Sequence, residues 1–167
     1  MARKSERYAR HLVLPNVGAI GQLKLGRARV LCVGAGGLGS PALLYLAAAG
    51  VGTIGIVDGD TVDVTNLQRQ VLFDEASVGK SKAECARQRL QALNPLIDVK
   101  TYPMRLDEAN VFKIFENFDC IVDGTDNFKA KYLINDACVA MGKVSVFAGI
   151  LQFEAQCTVF HSDGPCY

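Results

Sequence analysis

The chain lacks a charge imbalance: 18 basic and 17 acidic residues over 167 positions leave +1 at neutral pH. The two signs are interspersed, so no concentrated basic face is expected and no nucleic-acid partner. No apolar run approaches the roughly 20 residues that cross a bilayer, and Met1-Ala2-Arg3-Lys4-Ser5-Glu6-Arg7 has none of the apolar centre of a signal peptide. A cytoplasmic protein with no membrane partner is therefore expected. Six cysteines are present but no Cys-x-x-Cys pair, which removes the local spacing that a zinc site uses. Cys32, Cys120 and Cys157 fall in strand-like runs and Cys85 and Cys138 in helix-like ones, where buried reduced thiols are expected rather than disulfides. Repeats, linkers and low-complexity tracts are also missing. What remains is a chain that is 50% hydrophobic and about one domain long, a size that buries roughly 70% of its unfolded surface.

Val30, Leu31 and Val33 form a short β-branched run that breaks into Gly34, Gly36, Gly37 and Gly39 and restarts as a helix. The spacing G-x-G-x-x-G lets backbone approach a phosphate, and the helix start points free N–H groups at an anion. Gly39 or Ser40 is expected as the cap, with Pro41 in the first turn. The helix is apolar on every side up to a stop at Gly50, so burial against a sheet is expected. Residues 52–57 read as a second strand running into Asp58-Gly59-Asp60. Asp58 lies about 20 positions beyond the glycines, where such units place a carboxylate on ribose hydroxyls.

Before this unit, residues 4–14 look helical, with Arg7, Arg10 and His11 on one side, and residues 18–26 form a second weak helix. After it comes an irregular polar crossing, residues 61–73, that brings Asn66, Arg69 and Gln70 near the carboxyl edge of the sheet. Arg69 offers a planar fork of donors suited to phosphate; a plain solvated loop fits the same residues equally well. A helix from about Lys80 to Leu93 follows, with Ala83, Ala86, Leu90 and Leu93 inward. Gly79-Lys80-Ser81 imitates a P-loop without its first glycine. Lys80 and Lys82 in a first helical turn oppose the dipole unless an anion is near.

Residues 97–103 alternate as an edge strand, and 107–117 form an amphipathic helix with Val111, Ile114 and Phe115 inward. Phe118 to Val122 is a buried strand ending in Asp123-Gly124-Thr125-Asp126-Asn127. Asp126 suits either a ligand role or the cap of a helix over 127–141. Residues 143–147, 149–153 and 156–160 read as a strand and a β-hairpin. The fold class is α/β: a Rossmann-like doubly wound, mostly parallel sheet flanked by helices, with a C-terminal β-hairpin and a helical segment at about 4–26.

Arg7-Tyr8-Ala9-Arg10, the glycine turn, Asp58-Gly59-Asp60-Thr61-Val62, Asn66-Leu67-Gln68-Arg69-Gln70, Val78-Gly79-Lys80-Ser81-Lys82 and Asp123-Gly124-Thr125-Asp126-Asn127 together resemble the ubiquitin-activating-enzyme-like adenylyltransferases, on their MoeB and ThiF branch. The resemblance implies one adenylation domain over residues 1–167. It also implies ATP, Mg2+ and a ubiquitin-like sulfur-carrier protein ending in Gly-Gly, whose terminal carboxylate is adenylated with release of pyrophosphate. By the same resemblance Gly34, Gly36, Gly37, Gly39, Asp58, Asp60 and Gln70 bind the nucleotide, with Asp58 on the ribose hydroxyls, and Asn66, Arg69 and Lys82 hold its phosphates. Asp126 binds the magnesium, and Arg10 reaches the γ-phosphate across a homodimer interface. Arg69, Lys82, Asp126 and Arg10 carry the catalysis. Family members continue past this point with Cys-x-x-Cys pairs for a structural zinc; here Pro165-Cys166-Tyr167 resembles the start of the first pair, so the chain reads as truncated, with Cys166 in an incomplete zinc set and zinc expected only in a longer form. Two other readings compete: an NAD-dependent oxidoreductase, and a non-catalytic nucleotide-binding dimerisation scaffold.

Overall fold

A computed structural model describes residues 6–161, 163, 164 and 167. Six strands form one sheet in the order β3-β2-β1-β4-β5-β6. β1 (Arg29–Val33), β2 (Thr53–Val57), β3 (Asp98–Tyr102), β4 (Cys120–Asp123) and β5 (Val144–Leu151) run parallel, and β6 (Glu154–Phe160) runs antiparallel to β5. The central strands are short, apolar and β-branched, the pattern of strands covered on both faces. Their period of two sorts side chains into two cores. Val30, Cys32, Ile54 and Ile56 pack with Leu43, Ala47, Ala83, Ala86 and Leu90 on one face. Leu31, Val33, Val57 and Ile121 pack with Val111, Ile114, Phe115, Phe118 and Ile134 on the other.

Chain order runs outward from β1 through β2 to β3, then returns to β4 on the other side of β1. The carboxyl ends of β1 and β4 therefore flank the topological switch point, where open α/β sheets leave a ligand crevice.

Several elements differ from expectation. Of the helix expected over 4–14, Glu6 and Arg7 are helical, Tyr8 turns, and α1 covers Ala9–Leu12; residues 4 and 5 lie outside the described residues. α2 covers Gly18–Arg27 as expected. α3 (Gly39–Ala49) begins with no side-chain cap: Ser40 is already helical and its buried hydroxyl donates back to the Ala35 carbonyl at 3.0 Å. Gly50 ends it at φ 83°, as the left-handed stop requires. Only one side of α3 is buried, however, and Tyr45 is 78% exposed. α4 starts at Lys82, not Lys80, and runs to Leu93. α5 is just Val111–Phe115, because the Asp107 carboxylate accepts the Ala109 and Asn110 amides and folds the preceding residues into a turn. α6 (Phe128–Met141) is capped by Asn127, whose side chain accepts the Ala130 amide at 2.9 Å, not by Asp126. Residues 144–151 form one long strand where two pieces were expected. Cys32 and Cys138 are buried, Cys85 and Cys120 half-buried, and Cys157 exposed; none of these five is in a disulfide.

Candidate active site

The turn after β1 is packed backbone against backbone at its glycines. Gly34 donates its amide to the Val57 carbonyl at 2.8 Å and adopts φ 91°, a region that costs a side chain dearly. A Cβ on Gly39 would stand 1.9 Å from the Gly34 carbonyl oxygen, and one on Gly34 would stand 2.9 Å from that of Gly124. The turns after β1 and β4 thus close on each other only because both are glycine. Asp58 ties this turn to β2: one oxygen accepts the Ala35 amide at 2.8 Å and the other the Asp60 amide at 2.9 Å.

The polar crossing is ordered by Asp63. Its carboxylate accepts the Thr65 amide at 2.8 Å and the Thr65 hydroxyl at 2.6 Å, and the Asn66 side chain accepts the Asp63 amide at 3.3 Å. The hydrogen bonds from Thr65 hold the Asp63 carboxyl below its usual range. This short helical turn, Val64–Asn66, presents the residues that follow. Arg69 donates to the Thr65 carbonyl at 3.2 Å, and its stem passes 3.5 Å from where a Gly37 side chain would begin. Gln70 is buried beside Gly36, and its carbonyl oxygen has no hydrogen-bond partner among the described residues.

Lys82, the first residue of α4, is 7% exposed. Its ammonium lies 3.7 Å from Asp60, whose other oxygen accepts from Arg105 at 3.3 Å. Asp60 thereby offsets the cost of a cation at a helix start. Arg105 was not singled out in the sequence; its only signal is a cation just past the carboxyl end of an edge strand. Lys80 stands exposed before the helix.

The two carboxylates after β4 separate. Asp123 turns inward and pairs with Lys131 at 3.1 Å, while Asp126 is exposed and accepts a long contact, 3.5 Å, from the Asn127 side chain. Lys131 was also missed, since a partner eight positions along is apparent only once α6 docks on the sheet. Among the described residues no three His, Cys, Asp or Glu side chains gather as a metal-holding cluster. A lone exposed carboxylate is nevertheless what magnesium needs when phosphate supplies its other oxygens, so Asp126 fits that ion. The backbone cradle beside Arg69, Gln70 and Lys82 fits a nucleotide polyphosphate.

Arg10 is not brought to these residues. Tyr8 is buried against Gly50, where its hydroxyl accepts from Asn94 at 2.8 Å, and Arg7 donates to the Leu93 carbonyl at 3.1 Å. These contacts fix α1 at the far end of α3, whose 11 residues span about 16 Å from the glycine turn. Along the exposed side of α3, Pro41, Leu44, Tyr45 and Ala48 line an apolar groove of about 330 Å³ with Val71 and Leu93. Cys166 lies outside the described residues. No helix among the described residues is long and apolar enough to cross a membrane.

Sheet order and glycine turn together define an α/β protein of the doubly wound type, with its crevice at the switch point between β1 and β4. Residues 8–167 match the ThiF family, and the chain belongs to that family. It is 56% identical over 159 residues to a protein of Mycobacterium tuberculosis named probable adenylyltransferase/sulfurtransferase MoeZ, covering 95% of this chain and 41% of that one. It is 52% identical to a sulfur carrier protein adenylyltransferase of Thermus thermophilus, covering 97% of this chain and 62% of the relative. The chain therefore spans about two fifths to three fifths of the length of these relatives. Among solved structures, E. coli MccB with AMPCPP and MccA superposes with a TM-score of 0.79 at 31% identity, covering 96% of this chain and 48% of that one.

Proposed function

We propose that residues 1–167 form an adenylation domain that transfers AMP from ATP to the C-terminal glycine carboxylate of a ubiquitin-like sulfur carrier. The observation that carries the reading is the gathering of Asp58, Arg69 and Gln70 on the glycine turn, with Lys82 tied to it through Asp60. The names of the relatives support the reaction type, and the AMPCPP that accompanies MccA in the MccB structure supports the nucleotide.

A carboxylate is already ionised at neutral pH, so the nucleophile needs no general base. Its oxygen attacks the α-phosphorus of ATP, the acyl–oxygen–phosphorus bond forms, and the bond to pyrophosphate breaks. The problem is charge, because one anion must approach another. Arg69 offers a planar fork to phosphate oxygens, Lys82 a desolvated ammonium, and Asn66 and Gln70 neutral polar groups. Asp58 accepts from ribose hydroxyls while Gly34, Gly36, Gly37 and Gly39 leave room for the nucleotide. Asp60 borders the nucleotide and holds Lys82 in place. Asp126 would hold magnesium, which when bound neutralises charge on the departing pyrophosphate.

Arg10 belongs to the site of a second copy. Its own site lies at the opposite end of α3, and the exposed apolar stripe of that helix supports a homodimer. NAD chemistry would use the glycines and Asp58 but leave Arg69, Lys82 and Asp126 without a role. The location is cytoplasmic.

The test offers purified sulfur carriers ending in Gly-Gly to the protein with ATP and magnesium and looks for the carrier-adenylate by mass. Formation of that adduct from one carrier supports the reading; tight NADH binding with no adduct from any carrier overturns it.

A further inference from the structure

We infer that Lys131 is a positioning residue that sets the Thr125–Asp126 turn, an inference resting on the reading of Asp126 as the group that meets magnesium. Lys131 lies on α6 and is 8% exposed; Asp123 at the end of β4 is 2% exposed. The ammonium donates to one Asp123 oxygen at 3.1 Å and to the Ala148 carbonyl at 2.8 Å, and sits 4.5 Å from the centre of the Phe147 ring. The other Asp123 oxygen accepts both the Thr125 amide at 2.9 Å and the Thr125 hydroxyl at 2.6 Å. One carboxylate thus divides its two oxygens between the lysine and the turn that precedes Asp126.

The lysine also extends the link between β4 and β5 beyond their pairing and brings α6 into it. Pairing of β4 with β5 ends at Asp123 and Phe147, and Ala148, the first β5 residue beyond it, gives its carbonyl to Lys131. A single ammonium on the first turn of α6 therefore ties the end of β4 to the middle of β5. Stability alone is a poor reason for such a pair, since apolar side chains of like volume often do as well or better. What a charged pair adds is direction: with the ammonium in place, the Asp123 carboxylate cannot rotate away from Thr125 without stranding a buried charge.

The test compares wild type with Lys131→Met, Lys131→Arg and the double variant D123L/K131M, which leaves no buried charge. Two quantities are read: amide hydrogen exchange of Thr125 by NMR, and Mn2+ affinity in the presence of AMPCPP by electron paramagnetic resonance. Partners that orient metal ligands commonly cost 10–100-fold in affinity when lost. In Lys131→Met we expect Thr125 exchange and the Mn2+ dissociation constant each to rise at least about tenfold, with β1 amides still protected. Lys131→Arg recovers most of both. Should Lys131→Met not fold, the double variant is expected to fold and show the same weakening. Unchanged Thr125 exchange or unchanged Mn2+ affinity in a folded variant overturns the inference, as does loss of protection spread evenly over the sheet. If wild type takes up no Mn2+ with the nucleotide, the metal reading of Asp126 fails, and Thr125 exchange alone decides whether Lys131 sets the turn.

Discussion

Asp60 stands 3.7 Å from the buried ammonium of Lys82 and 3.3 Å from the guanidinium of Arg105, so one half-exposed carboxylate holds two cations at the rim of the glycine turn. Removing it leaves Lys82 unpaired in a largely desolvated position. Asp60→Ala is expected to lower the melting temperature of the free protein by about 2–4 °C, the equivalent of about 1 kcal/mol for a chain of this size. ATP is expected to raise the melting temperature more in the variant than in wild type, because its phosphates then supply the missing anion. Differential scanning fluorimetry with and without ATP reads both shifts.

The glycines differ in what they forbid. Gly39→Ala would drive a methyl group to 1.9 Å from the Gly34 carbonyl, whereas Gly36→Ala meets nothing closer than the Gln70 amide nitrogen at 3.8 Å. Gly39→Ala is therefore expected to displace the turn and lower both stability and ATP affinity. Gly36→Ala keeps the stability of wild type, so a loss of ATP affinity there measures space that the nucleotide itself needs. Chemical denaturation and calorimetric titration with ATP separate the two cases.

Much of this geometry is legible in the sequence. The strand, glycine turn and stop at Gly50 follow from local patterning, and the ends of β1, β2 and β4 fall within a residue or so of expectation because apolar β-branched runs leave little choice. The misses are tertiary. Asp126 suits either the cap or a ligand role, and Asn127 takes the cap because adjacent Asp and Asn are chemically equal candidates. α3 reads as buried all round because its uniformly apolar composition does not show which side meets the sheet. Lys131 and Arg105 acquire partners only when α6 and β3 are placed.

Arg10 supplies a test of assembly. If it acts on the partner's nucleotide, Arg10→Ala and Arg69→Ala are each inactive, but a mixed dimer keeps one complete site. Equal mixing with subunit exchange is expected to restore about one quarter of wild-type exchange activity, since half the dimers are mixed and each has one working site. Activity that stays at the level of the single variants would place Arg10 outside the partner's site.

The buried thiols should be inert. Burial pushes Cys32 and Cys138 up to about 12, so at pH 8 only about one in ten thousand of either is thiolate, the form that reacts. Iodoacetamide at pH 8 is expected to label exposed Cys157 and spare Cys32 and Cys138. Because the shift is upward, raising the pH to 9 or 10 should not change the pattern. Peptide mass mapping checks it.

Arg69 and Asp126 are both exposed, so substitution there tests chemistry with little effect on the fold. Loss of one charge-stabilising contact typically costs about 100- to 1,000-fold in rate. Carrier-dependent exchange of labelled pyrophosphate into ATP is the decisive measurement. Wild type should exchange only with ATP, magnesium and a Gly-Gly carrier present, and folded Arg69→Ala and Asp126→Ala should lose at least about 100-fold. Carrier-dependent exchange near the wild-type rate in both variants would contradict the account.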